Sequence, residues 1–155
     1  MISIVAFLVM QGDPKIARKE IQARYNAFDH AVRKRDPSIL DGLMTEDFAS
    51  DTPEGGTINR TGAMASFKGL MLGAQHAKWP TKILSLKIED KDALLKVESH
   101  FKGDLPGQDG KLHATELIAS KEETWVHSAN GWQMSHSHML KITMKRDGQL
   151  VGLKH

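Results

Sequence analysis

Residues 121–139, which read KEETWVHSANGWQMSHSHM, limit the possible fold of this 155-residue chain more than any other stretch. Thr124, Trp125 and Val126 carry the branched and aromatic side chains that suit a pleated sheet. The Ser-Ala-Asn-Gly that follows supplies a turn, because asparagine and glycine tolerate a positive φ. The stretch therefore predicts a β-hairpin, with one strand on each side of the turn.

The strand after the turn is predicted to have one buried face. Every second residue from its start falls on that face, which carries Trp132, Met134, His136, His138, Leu140 and Ile142. Alternate side chains of a strand point to opposite sides of the sheet. Met139 is the one apolar residue on the opposite, polar face. The pattern predicts that His136 and His138 lie inside the protein.

Three helices are predicted in the first half of the chain. Asp13-Pro14 and Asp36-Pro37 are helix starts, because aspartate caps a helix and proline suits its first position. The first helix has an apolar stripe at helical spacing, made of Ile21, Tyr25, Phe28 and Val32. A third helix is predicted to begin at Thr61.

From Trp79 onward the sequence is rich in strand signals. Strands are predicted over residues 83–88, 93–102 and 112–126, and the strand after the hairpin turn is the fourth. A loop is predicted over residues 104–110, and a bulge or a strong bend near Ile118. The result is an α+β fold, in which three N-terminal helices pack on a curved, mainly antiparallel sheet. This cone-shaped half-barrel would enclose a cavity suited to a small molecule.

Composition and charge exclude several classes of function. The chain has no cysteine, which removes thiolate catalysis and cysteine-ligated metals. Its net charge is +2, and the basic residues of the first helix run around it without aromatic stacking partners. A solvated helix surface is typical of this pattern, so neither nucleic acid nor membrane is expected as a partner. No cofactor is expected.

The chain is predicted to hold an apolar segment at residues 1–12 and one cone domain at residues 13–155. Residues 2–10 (ISIVAFLVM) are too few to span a membrane. They are either the remnant of a secretion signal or an apolar element that packs on the domain or on a partner subunit. The protein would be exported in the first case and cytoplasmic in the second.

Three segments carry a resemblance to a known family. They are RYNAFDHAVRKRDPSILDGLM with the EDF that follows, DTPEGGTINRTG, and EETWVHSANGWQMSHSH. Together they resemble the nuclear transport factor 2-like superfamily, and its SnoaL-like branch in particular, over about residues 16–142. The third segment is similar to the closing hairpin of the calcium/calmodulin-dependent kinase II association domain.

The resemblance implies a cone with an interior pocket and a homodimer formed through the outer face of the sheet. Two functions are compatible with it. The first is binding of a small apolar molecule, with cofactor-independent proton transfer, cyclisation or hydration as the reaction. The second is a non-catalytic, homo-oligomeric assembly module like the kinase association domain.

Four residues are candidates for catalysis. The resemblance implies that Tyr25 donates a hydrogen bond to a substrate carbonyl and that Asp51 is a possible general base. It also implies a second donor near Glu122 or Glu123. His136 and His138 are candidate acid–base groups, because histidine titrates near neutral pH. Each also has a structural alternative, in which Tyr25 is a core residue and the histidines only form hydrogen bonds inside the cone.

A metal site would require the two histidines and at least one more ligand. The available candidates are His100, His113 and Glu116. Since His100 shares a polar strand face with lysine and glutamate, no metal is expected.

The pocket is predicted to be lined by Tyr25, Phe28, Phe48, Phe67, Trp132 and Met134. Trp125 is in phase with Lys121 and Glu123, so it is predicted on the outer face, at a dimer interface. A cavity with unsatisfied polar groups from Tyr25 and His136 would favour chemistry. A cone filled by Met and Phe side chains would favour the assembly module.

Overall fold

Two α-helices and one short 3₁₀ helix come before the long strands. The structure, a computed structural model, describes residues 12–154, so the predicted apolar run at residues 2–10 lies outside the described residues. Helix α1 spans Pro14–Lys34, the 3₁₀ helix spans Pro37–Gly42, and helix α2 spans Arg60–Gly73. The first two begin at the predicted Asp-Pro signals, where Asp13 and Asp36 cap them.

Eight strands form one open sheet. They are β1 (Met44–Asp51), β2 (Thr57–Asn59), β3 (Gln75–Lys78), β4 (Thr81–Glu89), β5 (Asp92–Pro106), β6 (Leu112–Ser128), β7 (Gly131–Arg146) and β8 (Gln149–Lys154). The order is β2-β1-β7-β6-β5-β3, with β4 also paired to β5 and β8 to β7. Only the β1–β7 pair is parallel among the described strands. The predicted α+β fold with a mainly antiparallel sheet is confirmed, although the second helix is 3₁₀ and β5 continues into the predicted loop.

Helix α1 covers one side of the sheet, here called the inner face. The buried stripe of α1 consists of Ala17, Ile21, Tyr25, Phe28, Ala31 and Val32. Its polar side is hydrogen-bonded to β4, where Arg18 Nη2 donates to the carbonyl of Ile83 at 2.8 Å. The opposite side of the sheet is called the outer face.

Aromatic rings fill much of the space between α1, α2 and the inner face. Phe28, Phe67, Trp79 and Phe101 form successive ring contacts with centroid distances of 5.2 to 5.6 Å. Trp125 also lies inside, fully buried, with its ring 5.2 Å from that of Tyr25. The prediction that Trp125 faces outward is therefore wrong. The residues in phase with Trp125 on β6 were assigned to the outer face, whereas they lie on the inner face.

Strand β7 contains two β-bulges. Trp125 pairs with Met134 while its neighbour Thr124 pairs with His136, so Ser135 is an extra residue in β7. Further along, the pairing with β6 skips Leu140 in the same way. The bulge predicted near Ile118 on β6 is thus misplaced, because the extra residues lie in β7.

The bulges decide which side chains of β7 face inward. Before Ser135 the inner residues are Trp132 and Met134; after it they are Ser137, which is 5% exposed, and Met139. His136 and His138 lie on the outer face, with side chains 41% and 45% exposed. The prediction that they share the buried face is wrong, because one extra residue reverses the strand's phase.

His113 connects the β5–β6 loop to the β7–β8 turn. Its Nδ1 lies 2.8 Å from Asp147 Oδ2, and its Nε2 lies 3.0 Å from both carboxylate oxygens of Asp109. Hydrogen bonds to Asp147 and Asp109 raise the pKa of His113. The same bonds lower the pKa of each aspartate.

This cluster predicts a pH window for stability. A raised histidine pKa stabilises the fold below the ordinary value of about 6.5, and the effect is lost as pH rises through the folded pKa. Lowered aspartate pKa values stabilise above about 4, and that effect is lost as pH falls. We expect His113→Gln to lower Tm most between about pH 4 and 6.5. A Tm difference that does not vary with pH would contradict this, and His30→Gln on exposed α1 surface is the control.

Candidate functional site

A small cavity remains between the helices and the inner face. Its volume is about 30 Å³, which holds a water molecule or two but not a substrate. Four of the six predicted lining residues line it: Tyr25, Phe28, Phe67 and Met134. Phe48 and Trp132 are buried in the core but lie outside this lining.

A buried polar cluster lies beside the cavity. The Tyr25 hydroxyl donates to Glu123 Oε1. Trp125 Nε1 donates to the Tyr25 oxygen at 3.2 Å and lies 3.4 Å from Glu123 Oε1. Tyr25 is 5% exposed, Glu123 4% and Trp125 0%. The resemblance implied a second hydrogen-bond donor near Glu122 or Glu123; the fold brings Glu123 to Tyr25, where its carboxylate accepts, and turns Glu122 outward.

Burial makes this cluster electrostatically unusual. Loss of solvent is the main cause that raises the pKa of Tyr25 well above its ordinary value, and the charge of Glu123 and its hydrogen bond add to it. Tyr25 therefore stays protonated as a donor. Within residues 12–154, Glu123 forms no ion pair. Burying an uncompensated carboxylate costs several kcal/mol, and such groups are concentrated at functional sites.

The other three catalytic candidates meet on the outer face. Parallel pairing of β1 with β7 sets Asp51 opposite His138. Asp51 Oδ2 lies 3.0 Å from His136 Nε2 and 3.7 Å from His138 Nδ1. The sheet separates this group from Tyr25. Asp51, His136 and His138 therefore cannot act on a molecule bound beside Tyr25 inside the cone.

A groove of about 710 Å³ lies on the outer face beside these histidines. Two adjacent cross-strand rows form much of its floor. One row contains Lys87, Leu94, Thr124 and His136, and the other contains Ser85, Lys96, Glu122 and His138, with Asp51 next in line. The lysines lie toward β4 and β5, whereas the carboxylates lie toward β6 and β1. The groove thus has a basic end and an acidic end.

None of the three further metal-ligand candidates named from the sequence joins His136 and His138. In residues 12–154 no three His, Asp or Glu side chains are placed to hold a metal ion. His100 contacts Glu116, and His113 contacts Asp109 and Asp147. No helix within the described part of the chain is long and apolar enough to cross a membrane.

Comparison with known proteins agrees with the fold. No protein-family model and no curated protein matches the chain. A protein from Novosphingobium aromaticivorans provisionally named scytalone dehydratase superposes with a TM-score of 0.69 at 11% identity, over 83% of this chain and 85% of that one. A nuclear transport factor 2-like superfamily protein from Salmonella enterica gives a TM-score of 0.60 at 16% identity, over 81% and 90%.

The kinase association domain is also among the structural relatives. A protein from Thiobacillus denitrificans provisionally named as a calcium/calmodulin-dependent protein kinase type II association domain gives a TM-score of 0.51 at 17% identity, over 76% of this chain and 90% of that one. Identities of 11% to 17% define the fold alone. The chain has the nuclear transport factor 2-like fold.

Proposed function

We propose that this protein binds a small, largely apolar molecule in the cone and that Glu123 exchanges a proton with it. The observation that carries the proposal is the buried Glu123 carboxylate, which receives hydrogen bonds from Tyr25 and Trp125 and has no described cationic partner. A core needs no such group for stability, whereas proton transfer needs a positioned carboxylate.

The reaction class is proton transfer without a cofactor. In the simplest case a C–H bond next to a carbonyl breaks, the proton passes to a Glu123 oxygen, and the electron pair moves onto the carbonyl oxygen as an enolate. The proton then returns from Glu123 to the same carbon or to a neighbouring one. Tyr25 and Trp125 hold the carboxylate in place throughout. A dehydratase name on a structural relative is compatible with acid–base chemistry of this kind.

Entry of such a molecule requires one wall to move, because the cavity is only about 30 Å³. Helix α2 is the least buried wall, since Ala63 and Met71 are its only buried residues. Phe67 projects from α2 into the cavity lining and is only partly buried. Movement of its ring away from Phe28 and Trp79 would therefore enlarge the cavity.

The test is deuterium exchange at carbon next to a ketone. Aryl ketones in D₂O would be followed by NMR with wild type, Glu123→Gln and Glu122→Gln. The glutamine at position 123 keeps an oxygen for Tyr25 but is not a base. We expect exchange above buffer with wild type and the outward-facing Glu122→Gln control, and none with Glu123→Gln. Exchange that survives Glu123→Gln, or is absent from wild type, would refute the proposal.

A second candidate function is homodimeric assembly through the outer face. It is favoured by the nearly filled cone and by the two-ended charge of the outer groove. About a two-fold axis, Lys96 of one copy would meet Glu122 or Asp51 of the other, as a self-complementary interface requires. Light scattering tests this: the arrangement requires twice the 17.2 kDa chain mass, and a monomer at every concentration would exclude it.

A further inference from the structure

Three side chains that line the cavity can donate hydrogen bonds but have no partner among residues 12–154. They are Thr81, Ser99 and Lys121, and all three line the cavity. Thr81 and Ser99 are direct cross-strand partners on β4 and β5. Lys121 on β6 pairs with Val97, which makes it the diagonal neighbour of Ser99 on the same face. The three donors therefore form one continuous patch of the inner face.

Tyr25 is not available for the same purpose. A tyrosine hydroxyl has a single proton, and Tyr25 gives it to Glu123. An acceptor group on a bound molecule can therefore keep the Tyr25–Glu123 hydrogen bond intact by binding to the donor patch instead of to Tyr25. Lys121 can only donate and is positively charged, so an anionic acceptor fits it better than a neutral one.

We propose that the molecule bound in the cone carries an anionic group, with a carboxylate as the simplest case, held by Lys121 together with Ser99 and Thr81. Its apolar body would lie against Phe28 and Phe67. This inference rests on the proposed function and adds the class of ligand: an apolar, most simply aromatic, carboxylic acid.

The positions of the Lys121 and Glu123 charges determine the orientation of the ligand inside the cone. Lys121 and Glu123 are two residues apart on one strand face, a separation of about 7 Å. Lys121 is partly exposed, whereas Glu123 is 4% exposed and Trp125 is fully buried. The anionic group therefore lies toward solvent, and the carbon that loses its proton lies deeper, beside Glu123. Lys121 forms no ion pair with any residue from 12 to 154, so its ammonium group can bind the ligand.

Matched acids and amides test this inference by calorimetry. The probes are phenylpropionate, naphthylacetate and benzoylpropionate, each compared with its primary amide. We expect wild type to bind at least one acid about tenfold more tightly than its amide, a difference of about 1.4 kcal/mol. Lys121→Met should abolish that preference and Lys121→Arg should keep it. Lys141→Met is the control, because Lys141 is an exposed residue on the outer face of the same sheet.

The outcomes separate this inference from the proposed function. Equal binding of acid and amide to wild type, or an acid preference that survives Lys121→Met, would overturn the anionic ligand and leave binding in the cone intact. If no acid and no amide binds wild type, both the inference and the proposed cone function are wrong.

Discussion

Tyr25→Phe is expected to lower the free energy of unfolding by about 2–3 kcal/mol. The substitution removes only one hydroxyl, but that hydroxyl donates to the buried carboxylate of Glu123. Trp125 then remains as the one described donor, at 3.4 Å from Glu123 Oε1. A hydrogen bond to a charged group contributes more than a neutral one, and its loss leaves the charge poorly compensated. Urea unfolding measures the difference.

A second variant shows whether the charge of Glu123 causes the loss of stability in Tyr25→Phe. In a Glu123→Gln background the same Tyr25→Phe change should cost about 1 kcal/mol or less, because a neutral amide replaces the carboxylate. The two residues would then be coupled by more than about 1 kcal/mol in a double-mutant cycle. Equal costs in the two backgrounds would mean that Tyr25 contributes through packing alone.

Ser137→Glu is expected to destabilise the protein by more than about 3 kcal/mol, whereas Ser135→Glu should cost about 1 kcal/mol or less. Ser137 is 5% exposed and pairs directly with Glu123 on the inner face. A second carboxylate there would be buried without a partner beside the first. Ser135 is the bulge residue, and its hydroxyl makes one 3.3 Å bond to the Thr124 carbonyl.

The two serines make a matched pair because they have the same side chain and lie two residues apart. A regular strand would place both on the same face, so both substitutions would have similar effects. The difference in Tm between the two variants therefore shows whether the two serines lie on opposite faces of the sheet, as the bulge at Ser135 requires. Similar Tm values for Ser135→Glu and Ser137→Glu would contradict the bulge.

The sequence is sufficient for the architecture because the signals are local. Asp13-Pro14, the stripe that includes Tyr25, and the Asn-Gly turn each act within a few residues, and the structure has the elements they predict. The short strands β2, β3 and β8 were missed. They gain most of their stability from pairing with longer strands, which no local pattern reveals.

The site was harder to predict because it depends on strand phase. One extra residue at Ser135 places His136 and His138 on the outer face. Trp125 was predicted on the outer face because its half of the β6 alternation was assigned to the wrong side, and it lies on the inner face. One signal was available: Met139 is an apolar residue at a position that strict alternation makes polar. A bulge before Met139 explains it, and the same correction brings Ser137 to the inner face, opposite Glu123. The pairing of Tyr25 with Glu123 joins positions 98 residues apart, which no spacing rule predicts.

Binding of a small molecule in the cone beside Glu123 can be detected by NMR of protein labelled with ¹³C in its methionine methyl groups. Met134 lines the cavity, whereas Met144 lies ten residues further along β7, beside Leu117 and Gly152, and serves as the internal reference. During titration with the aromatic acids and amides, we expect a saturable shift of the Met134 methyl signal with that of Met144 unchanged. A Met134 signal that no probe moves would contradict it.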